Sequence, residues 1–219
     1  MLTPRLLSIS AALVVLGAVT AHLRLVPPLV GFLVAVGAGG LASLSALPVS
    51  VWEWRRRRGP VGWVLVASGV GLGAAVFVTA MPRHPRINDV TTSPEDPPSF
   101  VRRPGGNPDY PAQNASIQRA AYPDLAPVDL PQAPDEALAA VRRAVESLGL
   151  GVEDADPATG RLEATAESRV FRFVDDVVVR IRPQGSGSRV DIRSKSRDGK
   201  GDLGKNAARI RALAAALAP

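Results

Sequence analysis

Three uncharged apolar stretches open the chain, and they constrain it more than anything that follows. Residues 6–21 are apolar and uncharged, residues 25–52 carry no charged side chain before Glu53, and residues 61–81 carry none. A helix needs about 20 apolar residues to cross the hydrocarbon core of a bilayer. The second and third stretches meet that length, and the first meets it with its flanks. The expected spans are about 6–24, 29–51 and 61–81, followed by a chain of ordinary polar composition.

Direction follows from charge. The segment WEWRRRRGP lies between the second and third stretches and holds Arg55, Arg56, Arg57 and Arg58 in one short loop. Short loops rich in arginine stay in the cytoplasm. Trp52, Trp54 and Trp63 flank the same loop, as interfacial aromatics do. The second span then runs inward and the third outward. The N-terminus is expected in the cytoplasm, and everything after Met81 outside it, at the plasma (inner) membrane. The first stretch also fits a signal peptide, with a basic start, an apolar run and small residues near Ala21. Its cleavage would leave the orientation of the rest unchanged.

Six of the 26 basic residues but one of the 20 acidic residues precede Pro82. The net charge of +6 therefore divides into +5 before Pro82 and +1 after it. The pI near 10.6 is thus a membrane-proximal effect, and nucleic acid is not an expected partner. No cysteine is present, which removes disulfides and thiolate metal sites. No ionisable side chain falls mid-span, so a proton or ion pathway lacks its usual groups. Gly37, Gly39 and Gly40 in the second stretch, and Gly69 and Gly73 in the third, suit close helix packing.

Residues 82–134 hold 12 of the 20 prolines and show no lasting helical or strand period. By composition this is an extended arm. Yet INDVTTSPEDPPSF and AAYPDLAP carry apolar and aromatic residues that a spacer does not need. Asn114 opens an Asn-Ala-Ser sequon.

From Pro134 the pattern is that of a folded domain. Pro134 suits a first helical position, with Asp135 and Glu136 favourable at the positive end of the dipole. Leu138, Val141, Val145 and Leu148 form one stripe, and Gly149 ends the helix. Strands are expected at 151–155, 161–167, 170–182 (with a bend near Asp175 and Asp176) and 189–196, and a final helix at about 202–217. Leu203, Ala207, Ile210, Ala214 and Leu217 lie on one face of that helix. Placing Pro183 opposite Ser188 pairs Ile181 with Val190 and Val179 with Ile192 on one face. The other face then pairs Arg180 with Asp191 and Asp176 with Lys195. The expected architecture is three transmembrane helices (residues 1–81), a proline-rich extended arm (82–133) and an α+β domain (134–219). In that domain an antiparallel meander sheet carries two helices on one face.

INDVTT with PP and Phe100 beyond it, AYPD, GRLEATAES, DDVVVRI, and VDIRSKSR followed by DLGKNAARIR resemble the domain-of-unknown-function 1499 family of bacterial and plastid proteins. The resemblance covers about residues 87–213. It implies that the arm belongs to the domain, and it brings no assigned activity.

His84 is the single histidine after Met81, which removes Ser-His-Asp and Cys-His arrangements and the usual zinc ligands. Carboxylates alone remain for acid–base work or a hard cation: Glu163, Asp175, Asp176, Asp191 and Asp202. Balancing the surrounding arginines is the simpler role for them. Residues 161–211 carry 13 basic and 7 acidic residues, against 7 and 12 in residues 82–160, so the two halves attract each other. The segment VDIRSKSRDGKGDLGKNAARIRAL concentrates polar chemistry and reads in two ways. As structure, Asp202 caps the last helix, Asn206, Ser194 and Ser196 satisfy backbone groups, and Arg209 meets Asp175 or Asp176. As a site, Arg180, Arg193, Arg197, Asp202, Asn206 and Arg209 would hold an anion. No catalytic residue, metal or cofactor is assigned. The reading is a membrane-anchored, non-enzymatic domain of the cell envelope, with the bilayer and an envelope protein or anionic component as partners. The alternative is a carboxylate-dependent hydrolase or lyase acting outside the cytoplasm. The oligomeric state stays open.

Overall fold

The computed structural model describes residues 2–57, 65–66, 68–69, 84–102 and 109–218. The chain divides into two compact units. One is Met1–Pro82 with Arg169–Arg172, the other Arg83–Ser168 with Phe173–Pro219.

The first unit opens with α1 (Thr3–His22), then α2 (Pro28–Leu33), a π-helical turn (Val34–Ala38) and α3 (Gly39–Arg57). Two continuous helical stretches, Thr3–His22 and Pro28–Arg56, are long and apolar enough to cross a membrane. The expected third span, 61–81, lies outside the described residues apart from four helical positions. The two stretches pack antiparallel. Ser10 donates to the Gly39 carbonyl at 2.6 Å, and Thr3 Oγ1 donates to Glu53 at 2.8 Å. The Glu53 carboxylate also accepts the Leu2 and Thr3 backbone N–H groups. An anion at the positive end of a helix, taking up its free donors, is a favourable arrangement. A side chain at Gly17 would collide with the Gly31 carbonyl and one at Gly31 with Ala21, so the backbones approach where both residues are small. Of the glycines singled out in the sequence, Gly39 faces α1 against Val14, while Gly37 and Gly40 face open space.

In the second unit a six-stranded antiparallel sheet is built from β1 (Asp89–Thr91), β2 (Val128–Leu130), β3 (Gly151–Asp156), β4 (Arg161–Glu167), β5 (Val174–Gln184) and β6 (Gly187–Ser196). Its order is β1-β6-β5-β4-β3, with β2 also on β6. The last four strands form the expected meander. Pro183 faces Ser188, Ile181 faces Val190, Val179 faces Ile192, Arg180 faces Asp191 and Asp176 faces Lys195. Strand β5 begins at Val174, not at residue 170, because residues 168–173 form the turn. Ser168 closes it by donating its N–H to the Phe173 carbonyl and accepting the Phe173 N–H at Oγ.

Two helices, α5 (Pro134–Ser147) and α6 (Lys205–Leu217), cover one face. Leu162, Val177, Val179, Ile181, Val190 and Ile192 from the sheet meet Val141, Val145, Ile210 and Leu213 from the helices. Helix α5 ends in a left-handed turn at Gly149 (φ 72°). Leu150 N–H reaches the Val145 carbonyl and Gly149 N–H the Glu146 carbonyl. This termination needs a residue without a Cβ at Gly149 and carries Leu150 into the core. Leu148, expected on the buried stripe, is the helix cap and stays 40% exposed. Helix α6 starts three residues later than expected. Leu203 precedes it at φ 54° and is 61% exposed, so it is not part of the helix face.

The proline-rich arm contributes β1, β2 and a short helix, α4 (Asn114–Ala121). Strand β1 is an edge, and α4 covers it. The Gln118 amide donates to the Thr91 carbonyl and accepts the Thr91 N–H at 2.9 Å, while Asn114 donates to the Asp89 carbonyl at 3.2 Å. Two side-chain amides thus replace the next strand, which protects an otherwise open edge. Asn114 is buried in this contact, which occupies the nitrogen that the sequon would offer.

Candidate functional site

Strand alternation puts Arg161, Glu163, Asp176, Arg180, Asp191, Arg193 and Lys195 on the sheet face opposite the helices. Such a face normally meets water. Here the arm lies over it: Glu163, Asp176, Asp191, Arg193 and Lys195 are buried, and Arg161 and Arg180 are half-buried. Arg193 is 1% exposed and binds Asp89 through Nε at 2.9 Å and Nη2 at 2.7 Å. It also donates Nη1 to the Pro98 carbonyl at 3.0 Å. Its guanidinium lies 4.8 Å from the centre of the Phe100 ring and 5.6 Å from that of Tyr110. Five donors in a planar fork suit this combination of carboxylate, carbonyl and aromatic faces. Burial raises the Asp89 carboxyl, against the opposing pull of Arg193. Burial likewise pushes the Tyr110 phenol up to about 12.

Glu163, 3% exposed, accepts the backbone N–H of Val101 at 2.6 Å and of Arg102 at 3.0 Å. Asp96 of the arm accepts from Arg180 at 2.9 Å and Arg182 at 2.7 Å, and those hydrogen bonds hold its carboxyl below the usual range. Asp191, fully buried, takes Arg180, Arg182 and Arg189. Beside the Glu163 clamp a cavity of about 150 Å³ is lined by Phe100, Arg102, Glu153, Glu163, Thr165, Asp176 and Arg197, with the backbone nearby. Arg197 bonds Asp176 with two contacts, at 2.9 and 2.7 Å. Hydrogen bonding to Asp176 raises the Arg197 pKa, against the opposing effect of burial.

A second cluster forms on the helix side, where β6 turns into α6. Asp202 accepts Gly204 N–H at 2.9 Å and Asn206 N–H at 2.7 Å. Asn206 is fully buried. Its Oδ1 accepts Ser194 Oγ and Arg209 Nη1, both at 2.7 Å, and its Nδ2 donates to the Asn88 carbonyl and Ser196 Oγ, both at 3.0 Å. Arg209 bonds Asp175 at 2.7 Å. The side chain of Asn206 thus uses both lone pairs and both protons, the full capacity of an amide.

Sequence matching agrees with these boundaries. The sequence model of a family described as proteins of unknown function, DUF1499, matches residues 89–217. The chain belongs to the DUF1499 family. No curated protein matches it. The match begins on the first residue of β1 and ends on the last of α6, so the DUF1499 domain includes the arm.

Within this DUF1499 domain the six candidate residues fall into separate places. Asp202, Asn206 and Arg209 come together at the start of α6. Arg193 lies under the arm on Asp89, Arg180 on Asp96 and Asp191, and Arg197 on Asp176. The arginines thus sit on two sheet faces, each against a carboxylate. The residues missing from the sequence reading are those of the arm: Asp89, Asp96, Phe100, Tyr110 and Gln118. The signals available for the arm were its apolar and aromatic residues and the charged outward face of the meander. Among the described residues no group of three or more histidine, aspartate and glutamate side chains is placed to hold a metal ion.

Proposed function

We propose that the chain is a membrane-anchored envelope module at the plasma membrane. Its DUF1499 domain lies outside the cytoplasm and works by binding, not by catalysis, with an envelope protein or an anionic envelope component as its partner. The observation that carries this reading is the commitment of its acids. Glu163 holds two backbone N–H groups, Asp175 holds Arg209, Asp176 holds Arg197, Asp191 holds three arginines, and Asp202 caps α6. A general acid or base has to exchange its proton with a substrate, and each of these groups would first have to leave an internal partner. The arginine loop at Arg55–Arg58 supports the orientation.

One observation favours a second reading, a carboxylate-dependent hydrolase or lyase. Glu153, Glu163 and Asp176 line the same cavity.

Two measurements test the proposal. A reporter active only outside the cytoplasm, fused after Pro219, should be active; activity of a cytoplasmic reporter at that point would remove the envelope reading. The purified chain should turn over no generic ester, phosphate or glycan substrate, with or without divalent metal. Turnover abolished by Glu163→Gln or Asp176→Asn would establish the hydrolase reading instead.

A further inference from the structure

We infer that the cavity between the arm and the polar sheet face binds a small zwitterion, a molecule that carries both an ammonium and a carboxylate group as a free amino acid does. The inference rests on the reading of the domain as a binding module, and not on its anchoring or its location.

The cavity lies within the second unit. Its charged lining residues come from the arm (Arg102), β3 (Glu153), β4 (Glu163), β5 (Asp176) and the loop after β6 (Arg197). They are not equally engaged. Both Glu163 oxygens accept backbone N–H groups, and both Asp176 oxygens accept from Arg197. Glu153 accepts one hydroxyl, Thr165 Oγ1 at 3.0 Å, and its carboxylate stands 4.0 Å from the Arg102 guanidinium, beyond hydrogen-bond distance. A guanidinium offers five N–H donors. Arg197 uses Nε and Nη2 on Asp176, and its Nη1 has no partner among the described residues. Arg102 uses Nη1 on the Glu153 carbonyl, and its Nε and Nη2 make no hydrogen bond among the described residues. Two arginines with unused donors and one loosely held carboxylate therefore meet at one cavity.

The backbone aims Glu153 at this place. Val152 faces Ala164 and Asp154 faces Glu163, so Glu153 is the extra residue of a β-bulge. Regular alternation sends successive side chains to opposite faces. Here Asp154 bonds Arg161 at 2.9 Å and Glu153 bonds Thr165, and both partners lie on the polar face. Bulges are enriched beside active sites, where they re-aim a side chain.

The mixed charge selects the ligand. A simple anion at the arginines would also meet Glu153, Glu163 and Asp176, and a simple cation at Glu153 would also meet Arg102 and Arg197. Charges outside the lining keep both signs present: Arg161 is bound to Asp154 and Arg193 to Asp89, Lys195 stands across from Asp176, Glu167 lies beyond Thr165 on β4, and Asp198 follows Arg197. A zwitterion satisfies both sides. Its carboxylate takes the unused guanidinium donors and its ammonium takes Glu153, as charge-assisted hydrogen bonds. The Phe100 ring forms an apolar wall. The volume, about 150 Å³, is below the about 300–1,000 Å³ of pockets for drug-sized ligands, which limits the ligand to amino-acid size.

Calorimetry on the purified full chain in nanodiscs tests this, with glycine, β-alanine and 4-aminobutanoate as probes of increasing charge separation. Propionate and propylamine are the single-charge controls, and phosphoethanolamine replaces the carboxylate by phosphate. One of the amino acids should bind about tenfold tighter than either single-charge control. The Arg102 and Glu153 side chains are 61% and 41% exposed, so Arg102→Gln and Glu153→Gln should keep the melting temperature. Each should weaken amino-acid binding about tenfold. Glu153→Gln should also raise the affinity for propionate, a reversal that loss of fold does not produce. Propionate or propylamine bound as tightly as the amino acids, affinity unchanged in both variants, or no amino acid bound at millimolar concentration would each overturn the site and leave the binding-module reading standing. Phosphoethanolamine bound more tightly than every amino acid would overturn the carboxylate assignment and point to a lipid headgroup. Consumption of the bound amino acid would remove the binding-module reading and this inference with it.

Discussion

Arg193 and Asp89 are joined by two hydrogen bonds, 104 residues apart in the chain, and neither side chain meets solvent. The pair ties the proline-rich arm to β6, the interior strand that β1 and β2 both join. Breaking a buried ion pair by removing one partner costs about 3–5 kcal/mol, because the other charge stays buried. Arg193→Met should destabilise the domain on that scale in chemical denaturation. Adding Asp89→Leu should recover part of the loss. A double variant that is as unstable as the sum of the two single ones would mean that the pair does not act as a unit.

Glu163 holds the arm farther along, through Val101 and Arg102. Glu163→Ala leaves two backbone donors without their acceptor, at about 1–3 kcal/mol for each that stays buried. The expected result is faster amide hydrogen exchange at Val101 and Arg102 and earlier proteolysis of the arm. Unchanged exchange at both amides would show that the carboxylate does not hold the arm.

Deletion of residues 87–100 removes β1, the Asp89 partner of Arg193 and the cover of the polar face together. It should lower the melting temperature and increase binding of a hydrophobic dye. A spacer would change neither.

At the opposite face Asn206 is the hub. Asn206→Ala removes one hydrogen bond from each of Ser194 Oγ, Ser196 Oγ, the Asn88 carbonyl and Arg209 at once, while Ser194 keeps Arg209 and the Asn88 carbonyl keeps the Ser196 N–H, and should cost about 1–3 kcal/mol for each group left buried without a partner. Arg209→Ala leaves Asp175 without its cation and should also destabilise. Arg197 is exposed but its partner Asp176 is buried, so Arg197→Ala should cost more than the about 0–1 kcal/mol of an exposed pair. If Arg197→Ala and Arg209→Ala both leave the melting temperature intact but abolish function in cells, the corner is a binding site.

Acid should loosen the surface ties. Hydrogen bonds from Arg180 and Arg182 lower the Asp96 carboxyl, and that from Arg211 lowers Asp124. A carboxylate with a lower pKa in the folded state stabilises above its unfolded value and loses that contribution as pH falls through the folded one. The window therefore begins near the unfolded value of about 3.9 and extends below it. Asp89, raised by burial, titrates in the opposite sense. Comparison with Asp96→Asn and Asp124→Asn together isolates the surface pairs. That variant should be slightly less stable at neutral pH and should show a shallower decline below about pH 4. An identical decline would mean that these pairs contribute nothing.

The sequence by itself determined the local and the periodic. Four meander strands, the helix at Pro134 and the pairing of Arg180 with Asp191 followed from alternation, because a slip of one residue would move every apolar side chain to the wrong face. Two apolar helical stretches followed from the lack of charge in residues 6–21 and from the length of the run before Glu53. The tertiary structure decided what covers the second face. Alternation marks Glu163, Arg193 and Asp176 as facing away from the helices, but it does not say whether water or protein meets them. That depended on pairings between residues about a hundred positions apart, such as Asp89 with Arg193, for which the local pattern carries no signal. The same holds for Leu148 and Leu203. Both continue an apolar stripe in the sequence, yet the helices stop short of them, because the left-handed backbone around Gly149 and Gly204 turns the chain and leaves them at the surface.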